Sequence, residues 1–159
     1  MDEIVPAKPS ISVVIPPPAW GLLFVLVAWG IGYAAGLEAA GWLHHPLLGT
    51  AVLICGIALA AWGRLTFAKA GAEIRPASPK NSYLVADGPF RFTRNPMYLG
   101  ILLVTIGLAM IIGTSSMLLA PIAFFLWVNF VSIPFEEAKM ERQFGESFRD
   151  YKRRVRRWI

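Results

Sequence analysis

Charged residues are scarce in this chain of 159 residues: they make up 16% of the sequence, whereas hydrophobic residues make up 56%. An average soluble domain has about 25% charged residues. The composition therefore favours a membrane protein over a water-soluble domain. Cysteine is nearly absent as well, because Cys55 is the only one. No internal disulfide can form, and the position of Cys55 inside an apolar block predicts a buried structural thiol.

Several motifs of soluble enzymes are also missing. The sequence has no GxGxxG stretch after a strand and no Walker sequence, which excludes a Rossmann-type methyltransferase or dehydrogenase. It has no Ser-His-Asp or Cys-His arrangement for nucleophilic catalysis. His44 and His45 are the only histidines, and without a third ligand we expect them to be loop residues and predict no metal site.

Four apolar blocks dominate what is present, at residues 19–37, 46–67, 98–113 and 116–135. A membrane-spanning helix needs about 20 residues, so the first, second and fourth blocks qualify and the third is short. Only "GTSS" (113–116) joins the last two, which predicts a helical hairpin. We therefore predict an all-α integral membrane protein with about four transmembrane helices and a C-terminal amphipathic helix.

The basic residues indicate the orientation. Six of the 15 Lys and Arg lie between Arg64 and Arg94, eight lie from Lys139 onward, and the other is Lys8. With four spans, both termini and the central loop share one face, which the positive-inside rule makes cytoplasmic. The net charge of +5 thus reflects topology in a lipid bilayer and gives little support to nucleic-acid binding. One domain results: a tail (1–18), a helix pair (19–67), a cytoplasmic loop (68–97), a hairpin (98–135) and an amphipathic tail (136–159).

Two periodic patterns predict packing. Glycines recur in the first two blocks, including Gly49, Gly56 and Gly63, and they predict that the first two helices pack on each other. In the tail, apolar residues at steps of three and four predict one face of an amphipathic helix, with Gly145 as a candidate break. This helix either anchors the chain at the membrane interface or closes over a site on the same face. The apolar residues are Met140, Phe144, Phe148, Tyr151, Val155 and Trp158.

Polar residues concentrate at the two open ends of the predicted hairpin. "GPFRFTRNPMYLG" (88–100) precedes and opens the third apolar block, and Glu136 and Glu137 follow the fourth, two residues after Pro134. Because adjacent antiparallel helices bring their open ends together, we expect Tyr98 and Glu136 to lie within a side chain or two of each other. The acids either only terminate the span, or one of them holds a cation. Pro134 frees the carbonyl of Phe130 and loosens the helix just before them.

The segment "LVADGPFRFTRNPMYLG", an apolar hairpin and "EEAKMERQFGESFRDYKRRVRRWI" together resemble the isoprenylcysteine carboxyl methyltransferase family and its relatives among membrane phospholipid methyltransferases. The resemblance covers about residues 71–159. It implies a small helical membrane bundle that encloses S-adenosylmethionine at its cytoplasmic end and takes a lipophilic substrate from the bilayer. The cofactor contacts that it implies are Ser82, Tyr83, Leu84, Val85, Phe90, Asn95, Pro96, Met97, Tyr98 and Glu136, with Glu136 at the methionine moiety and Arg75 as a looser match.

Two positions depart from the family pattern. Asn95 stands where the family has a histidine, so it can position a group but cannot titrate. Ser132 stands where isoprenylcysteine-specific members have a substrate-binding arginine, and Asn129 is the other polar residue of that helix. We take Asn129 and Ser132 as candidate substrate contacts, and Asn95 and Glu137 as candidate catalytic residues, with Glu137 orienting the substrate or removing its proton.

Two rival interpretations stay open. A membrane sterol-type reductase has a similar C-terminal bundle but binds NADPH, whose phosphates would need clustered cations such as Arg91 and Arg94. A non-enzymatic membrane scaffold would use the same residues only to fix topology. Neither the acceptor atom nor the oligomeric state follows from the sequence.

Overall fold

A computed structural model describes residues 15–69 and 84–159, and within these ranges every regular element is helical. The predicted all-α class is confirmed. The three apolar helices that come first are α1 (Pro17–Ala34), α2 (Pro46–Lys69) and α3 (Pro96–Ile112), with a 3₁₀ turn at Gly88–Arg91 before α3. The remaining elements are a 3₁₀ turn (Ser115–Leu118), α4 (Leu119–Trp127), a π-helical segment (Val128–Ser132), α5 (Ile133–Phe144) and α6 (Glu146–Arg154).

Within the described ranges, three helical stretches are long and apolar enough to cross a membrane: Pro17–Ala34, Pro46–Lys69 and the continuous stretch Ser115–Phe144. α3 has only 17 residues, or about 26 Å at ~1.5 Å per residue. It packs against α1, α2 and α4. Large apolar side chains such as Leu22 and Ile54 point outward, as expected for helices whose outer surfaces contact lipid. The helices are those of an integral membrane protein with a shorter fourth helix among the long ones.

Proline marks the starts of several helices. Pro17, Pro46 and Pro96 are each the first residue of their helix, where a missing N–H breaks no helical hydrogen bond. The predicted role of Pro46 is confirmed. Pro134 is the second residue of α5 and lies two residues after the last residue of the π-helical segment.

α2 and α3 form the closest helix pair, and they do so through glycine. A Cβ on Gly56 would lie 2.6 Å from the carbonyl oxygen of Gly100, and one on Gly107 would lie 2.6 Å from that of Gly49. The later glycine of α2, Gly56, meets the earlier glycine of α3, Gly100, and the earlier Gly49 meets the later Gly107. The two helices are therefore antiparallel. The carboxyl end of α2 therefore lies beside the amino end of α3, where Gly63 meets Met97.

The predicted pairing of the first two helices is wrong. α1 packs against α4, the Ser115–Leu118 turn and α3, while α2 packs against α3. The glycine spacing of α2 correctly marks a face for close approach, but α3 carries Gly100 and Gly107 at the same seven-residue spacing and matches that face. The prediction of a buried Cys55 is also wrong, since this thiol is exposed on the outer surface of α2.

Two clusters of buried residues meet at the end of the bundle where α3 begins. One joins the segment before α3 to the tail and consists of Val85, Phe90, Phe148, Tyr151 and Val155. The other lies among the helices and consists of Tyr98, Phe124, Val128 and Ile133. Gly145, with φ +52°, separates α5 from α6, which confirms the predicted break. The turn lets α6 fold its apolar face back onto the segment before α3.

Candidate active site

A hydrogen bond joins the two halves of the site. The Tyr98 hydroxyl, in the first turn of α3, donates to Oε1 of Glu136 on α5 at 2.6 Å. Tyr98 is buried and Glu136 is half-buried. The expectation that the hairpin brings these two side chains together is confirmed.

The helix that carries Glu136 is irregular just before it. Pro134 has no N–H to donate, and the preceding residues Val128–Ser132 form a π-helical segment. An extra residue per turn rotates everything that follows relative to a regular α-helix, and such bulges occur frequently at functional sites. The segment thus sets the direction in which α5 presents its acidic residues.

Both residues line a cavity of about 90 Å³ at the end of the bundle. This volume is smaller than the roughly 300–1,000 Å³ of a typical ligand pocket. The cavity that the described residues enclose could therefore hold only part of a drug-sized ligand. Eight residues predicted from the sequence line it: Leu84, Phe90, Asn95, Pro96, Met97, Tyr98, Glu136 and Glu137. Five others also line it: Phe67, Arg94, Met140, Phe148 and Tyr151.

Some predicted site residues lie elsewhere. Val85 is buried behind the cavity in the cluster around Phe90, and Asn129 and Ser132 are not among the residues that line it. The Ser132 hydroxyl is buried near Tyr98 without a hydrogen bond of normal geometry to any residue of the described ranges. Ser82, Tyr83 and the looser match Arg75 lie outside the described residues.

Glu137 is held by two arginines. Its Oε1 lies 3.0 Å from Nη2 of Arg94, and its Oε2 accepts a hydrogen bond from Nη2 of Arg157 at 2.7 Å. The side chains of Glu137 and Arg94 are only 19% and 13% exposed. Contacts with two guanidinium groups fix the orientation of this carboxylate and occupy both of its oxygens. This arrangement suits positioning better than proton removal.

Residues 156–158 are hydrogen-bonded to the segment before α3 and to the π-helical segment. The carbonyl of Arg157 accepts hydrogen bonds from the Asn95 amide at 2.9 Å and the Thr93 hydroxyl at 3.1 Å. The Trp158 indole N–H donates to Asn129 at 3.1 Å, and the Arg156 carbonyl accepts the backbone N–H of Arg94. We call these contacts of residues 156–158, with the Arg157–Glu137 pair, the C-terminal clamp. Asn95 and Asn129 are thus both engaged by the tail.

α6 covers the cavity from the side of the segment before α3. Phe148 and Tyr151 are buried against Phe90, and the Tyr151 hydroxyl donates to the Phe90 carbonyl at 2.7 Å. Burial raises the pKa of the Tyr151 phenol, so the group stays protonated and remains a donor. Of the two roles considered for the tail, the structure places it over the site.

The sequence did not predict Arg157 as a partner of Glu137, nor the cavity positions of Phe67, Arg94, Met140, Phe148 and Tyr151. The apolar periodicity of the tail contained a signal for Phe148 and Tyr151, because both belong to the predicted face. For Arg157 the sequence offers no distinguishing mark among the arginines 153, 154, 156 and 157.

The chemistry of the cavity suits a ligand with a cationic part. The half-buried carboxylate of Glu136 can accept hydrogen bonds from an ammonium group, and the rings of Phe90, Phe148 and Tyr151 can face a cation. Arg94 contributes one cationic group, and its Nε is buried without a hydrogen bond to any described residue. Within residues 15–69 and 84–159, no group of three or more His, Cys, Asp or Glu could hold a metal ion.

Comparisons with known proteins give one family. The family model for "Phospholipid methyltransferase" matches residues 45–147. An uncharacterized protein of Haemophilus influenzae is 40% identical over 63 residues, which is 40% of this chain and the whole of that protein. No solved structure matches.

Proposed function

The chain belongs to the phospholipid methyltransferase family, and on this premise we propose that it is an integral membrane methyltransferase that transfers the methyl group of S-adenosylmethionine to a lipophilic, membrane-delivered acceptor. The single observation that carries the proposal is the Tyr98–Glu136 hydrogen bond inside an aromatic-lined cavity. It supports the proposal because a cationic cofactor would need an acid in its site, and this acid lies in one of the two most distinctive segments of the sequence and is bonded to the other.

The cofactor, when bound, supplies an activated methyl group on a sulfonium. The residues of this chain would then hold and orient it. The Glu136 carboxylate, fixed by the Tyr98 hydroxyl, accepts hydrogen bonds from the ammonium of the methionine moiety. Phe90, Phe148 and Tyr151 exclude water from the cavity and present ring faces to the positive charge. Methyl transfer depends above all on orientation, and rigid walls provide it.

Asn95 and Glu137 act as positioning residues in this proposal. Asn95 sits at the amino end of α3 and is tied to the Arg157 carbonyl, so it sets the distance between the tail and the start of α3. Glu137 is held between Arg94 and Arg157, so it sets the rotation of α5 and with it the direction of Glu136. Ser132 and Asn129 lie one to two turns before Glu136 along the same helical stretch and remain candidate contacts for the acceptor.

The basic residues favour a cytoplasmic location for this end of the bundle. Five arginines of α6 and the tail, together with Arg91 and Arg94, lie at the end of the bundle that carries the cavity, whereas the loop at 37–45 has none. The positive-inside rule then places the cavity on the cytoplasmic face. The protein's partners would be the bilayer and a lipid-soluble acceptor.

A nicotinamide reductase fits the cavity less well. Phosphate groups would require several cations, but Arg94 is the single Lys or Arg among the described residues that line the cavity, and Arg91 is exposed and does not line it. A scaffold role does not explain why the Glu136 carboxylate is half-buried and hydrogen-bonded to Tyr98.

Ligand binding to the purified protein in detergent or nanodiscs tests the proposal. S-adenosylmethionine at 100 times its dissociation constant should stabilise the protein by about 2.7 kcal/mol, and NADPH should not. Glu136→Ala should weaken S-adenosylmethionine binding roughly 10- to 100-fold, because it removes a charge-assisted contact. Glu38→Ala is the matched control, since Glu38 is an exposed acid in the loop at the other end of the bundle. Binding of NADPH in place of S-adenosylmethionine would support the reductase, and binding of neither would support the scaffold.

A further inference from the structure

The ion pairs of α6 neutralise much of its exposed face. Three basic and three acidic side chains on α6 and the end of α5 pair with one another there: Arg149, Lys152, Arg153, Glu141, Glu146 and Asp150. The apolar face of α6 is buried in the cluster around Phe90, so it does not contact lipid. Attraction between this end of the bundle and a charged membrane surface therefore depends on other residues.

Arg91 and Arg156 are cations of a different kind. Both are exposed, and neither forms an ion pair with any described residue. Two hydrogen bonds place them on one edge of the molecule. The Tyr151 hydroxyl donates to the Phe90 carbonyl at 2.7 Å, and the Arg94 backbone N–H donates to the Arg156 carbonyl at 3.0 Å. The chain before α3 thus runs alongside the end of α6 and the residues that follow it.

The backbone after α6 directs Arg156 outward. Val155 is extended, with φ −122° and ψ 129°, and side chains alternate between opposite sides of an extended chain. Val155 is buried in the cluster around Phe90, and Arg157 turns inward to Glu137. Arg156 lies between these two residues and therefore points away from the protein, in agreement with its exposure.

Aromatic side chains place this edge at the level of the membrane interface. Phe92 is 72% exposed and lies shortly before Pro96, the first residue of α3. Trp158 packs on Phe125 with ring centroids 5.2 Å apart, and Phe125 is itself exposed on a membrane-spanning stretch. Apolar rings of this kind lie at the boundary between lipid headgroups and acyl chains. The exposed ring of Phe92 and its two neighbouring unpaired arginines suit that boundary, where lipid phosphates also lie.

We propose that Arg91, Phe92 and Arg156 bind the headgroup region of an anionic phospholipid. The two guanidinium groups can donate paired hydrogen bonds to its phosphate oxygens, and the ring of Phe92 can contact the upper part of its acyl chains. Each arginine near an anionic membrane surface strengthens the attraction about fivefold, whereas a zwitterionic lipid has the same phosphate but no net charge. The inference goes beyond the proposed function and does not depend on it, because none of the three residues lines the cavity that the described residues enclose.

Native mass spectrometry of the purified protein in a neutral detergent, without S-adenosylmethionine, tests the inference. The protein is titrated with phosphatidylglycerol and with phosphatidylcholine of the same acyl chains. The wild type should bind phosphatidylglycerol at least about tenfold more tightly than phosphatidylcholine. In Arg91→Gln/Arg156→Gln this ratio should fall to about threefold or less, because the groups that distinguish the two lipids are gone.

Arg149→Gln/Arg153→Gln is the matched control, because it removes two positive charges from arginines that are already paired with acids. It should keep the wild-type ratio. Phe92→Ser should weaken both lipids alike, since the ring contacts acyl chains and does not read charge. Equal loss of preference in the two double variants would overturn the inference, because net charge alone would act in that way. A wild-type ratio near one would overturn it too, and so would displacement of phosphatidylglycerol by an excess of inorganic phosphate, which would indicate a site for free phosphate.

Discussion

Removal of the Glu137 carboxylate should destabilise the protein by about 3 kcal/mol, because it leaves two guanidinium groups facing each other without a counter-charge. Breaking a buried ion pair by removal of one partner costs about 3–5 kcal/mol. Glu137 and Arg94 are 19% and 13% exposed, and Arg157 is 33% exposed, so the lower end of that range applies. Arg157→Ala should have a smaller effect, about 1–2 kcal/mol, since Arg94 still neutralises Glu137.

A double-mutant cycle separates this pairing from unrelated damage. In Glu137→Ala/Arg157→Ala the loss should be about 3 kcal/mol rather than the sum of the two single losses, because the second substitution removes a charge that has already lost its partner. The free energy of unfolding can be measured by titration with a denaturing detergent, with far-ultraviolet circular dichroism as the signal.

Glu146→Ala is the control for this cycle. Glu146 pairs with Arg149 and Arg153 on the exposed side of α6, and exposed pairs contribute about 1 kcal/mol or less. A Glu137→Ala effect no larger than that of Glu146→Ala would refute the reasoning, and so would additive losses in the cycle. If Glu137 were a general base, its alanine variant would instead fold and bind cofactor normally and lose only turnover.

Two further predictions concern the packing of α3 and its tyrosine. Gly100→Ala would place a Cβ 2.6 Å from the Gly56 carbonyl oxygen, so the two helices must separate. We expect the free energy of unfolding, measured in the same titration, to fall by about 2–4 kcal/mol. In the control Gly30→Ala the new Cβ meets nothing within 4 Å, so this substitution should be neutral or stabilising by up to about 1 kcal/mol. Equal effects of the two substitutions would contradict the glycine pairing. Tyr98→Phe keeps the ring and removes only the hydrogen bond to Glu136, so calorimetry should show S-adenosylmethionine binding weakened by roughly tenfold. Unchanged affinity would mean that this hydrogen bond does not orient the acid.

The sequence predicts well whatever depends on neighbours along the chain. Pro46 begins its helix because its missing N–H is harmless only there, and the short "GTSS" link forces Tyr98 and Glu136 to the same end of a hairpin. Gly145 ends a helix because its backbone adopts a positive φ that a side chain would disfavour. The apolar period of the tail likewise identifies Phe148 and Tyr151 as one face.

Features that depend on which elements meet in space were harder to predict. The glycines of α2 mark a surface for close packing, but the choice between α1 and α3 as its partner depends on which of them carries matching glycines at the right depth. Among several neighbouring arginines, Arg157 is the one that pairs with Glu137, because the helix ends before Val155 and the backbone becomes extended there. The loosening effect of Pro134 was predicted, but not that the extra residue is accommodated as a π-helical segment.

Transfer of an isotopically labelled methyl group tests the central claim most directly. The purified protein, in vesicles made from a total membrane lipid extract, would receive S-adenosylmethionine labelled on its methyl group, and mass spectrometry would search the lipid fraction for the label. We expect a labelled lipophilic product that forms with the wild type and with Glu38→Ala, and at least about tenfold more slowly with Glu136→Ala at subsaturating cofactor. Equal rates for the wild type and Glu136→Ala, or cofactor binding with no label in any lipid, would contradict it.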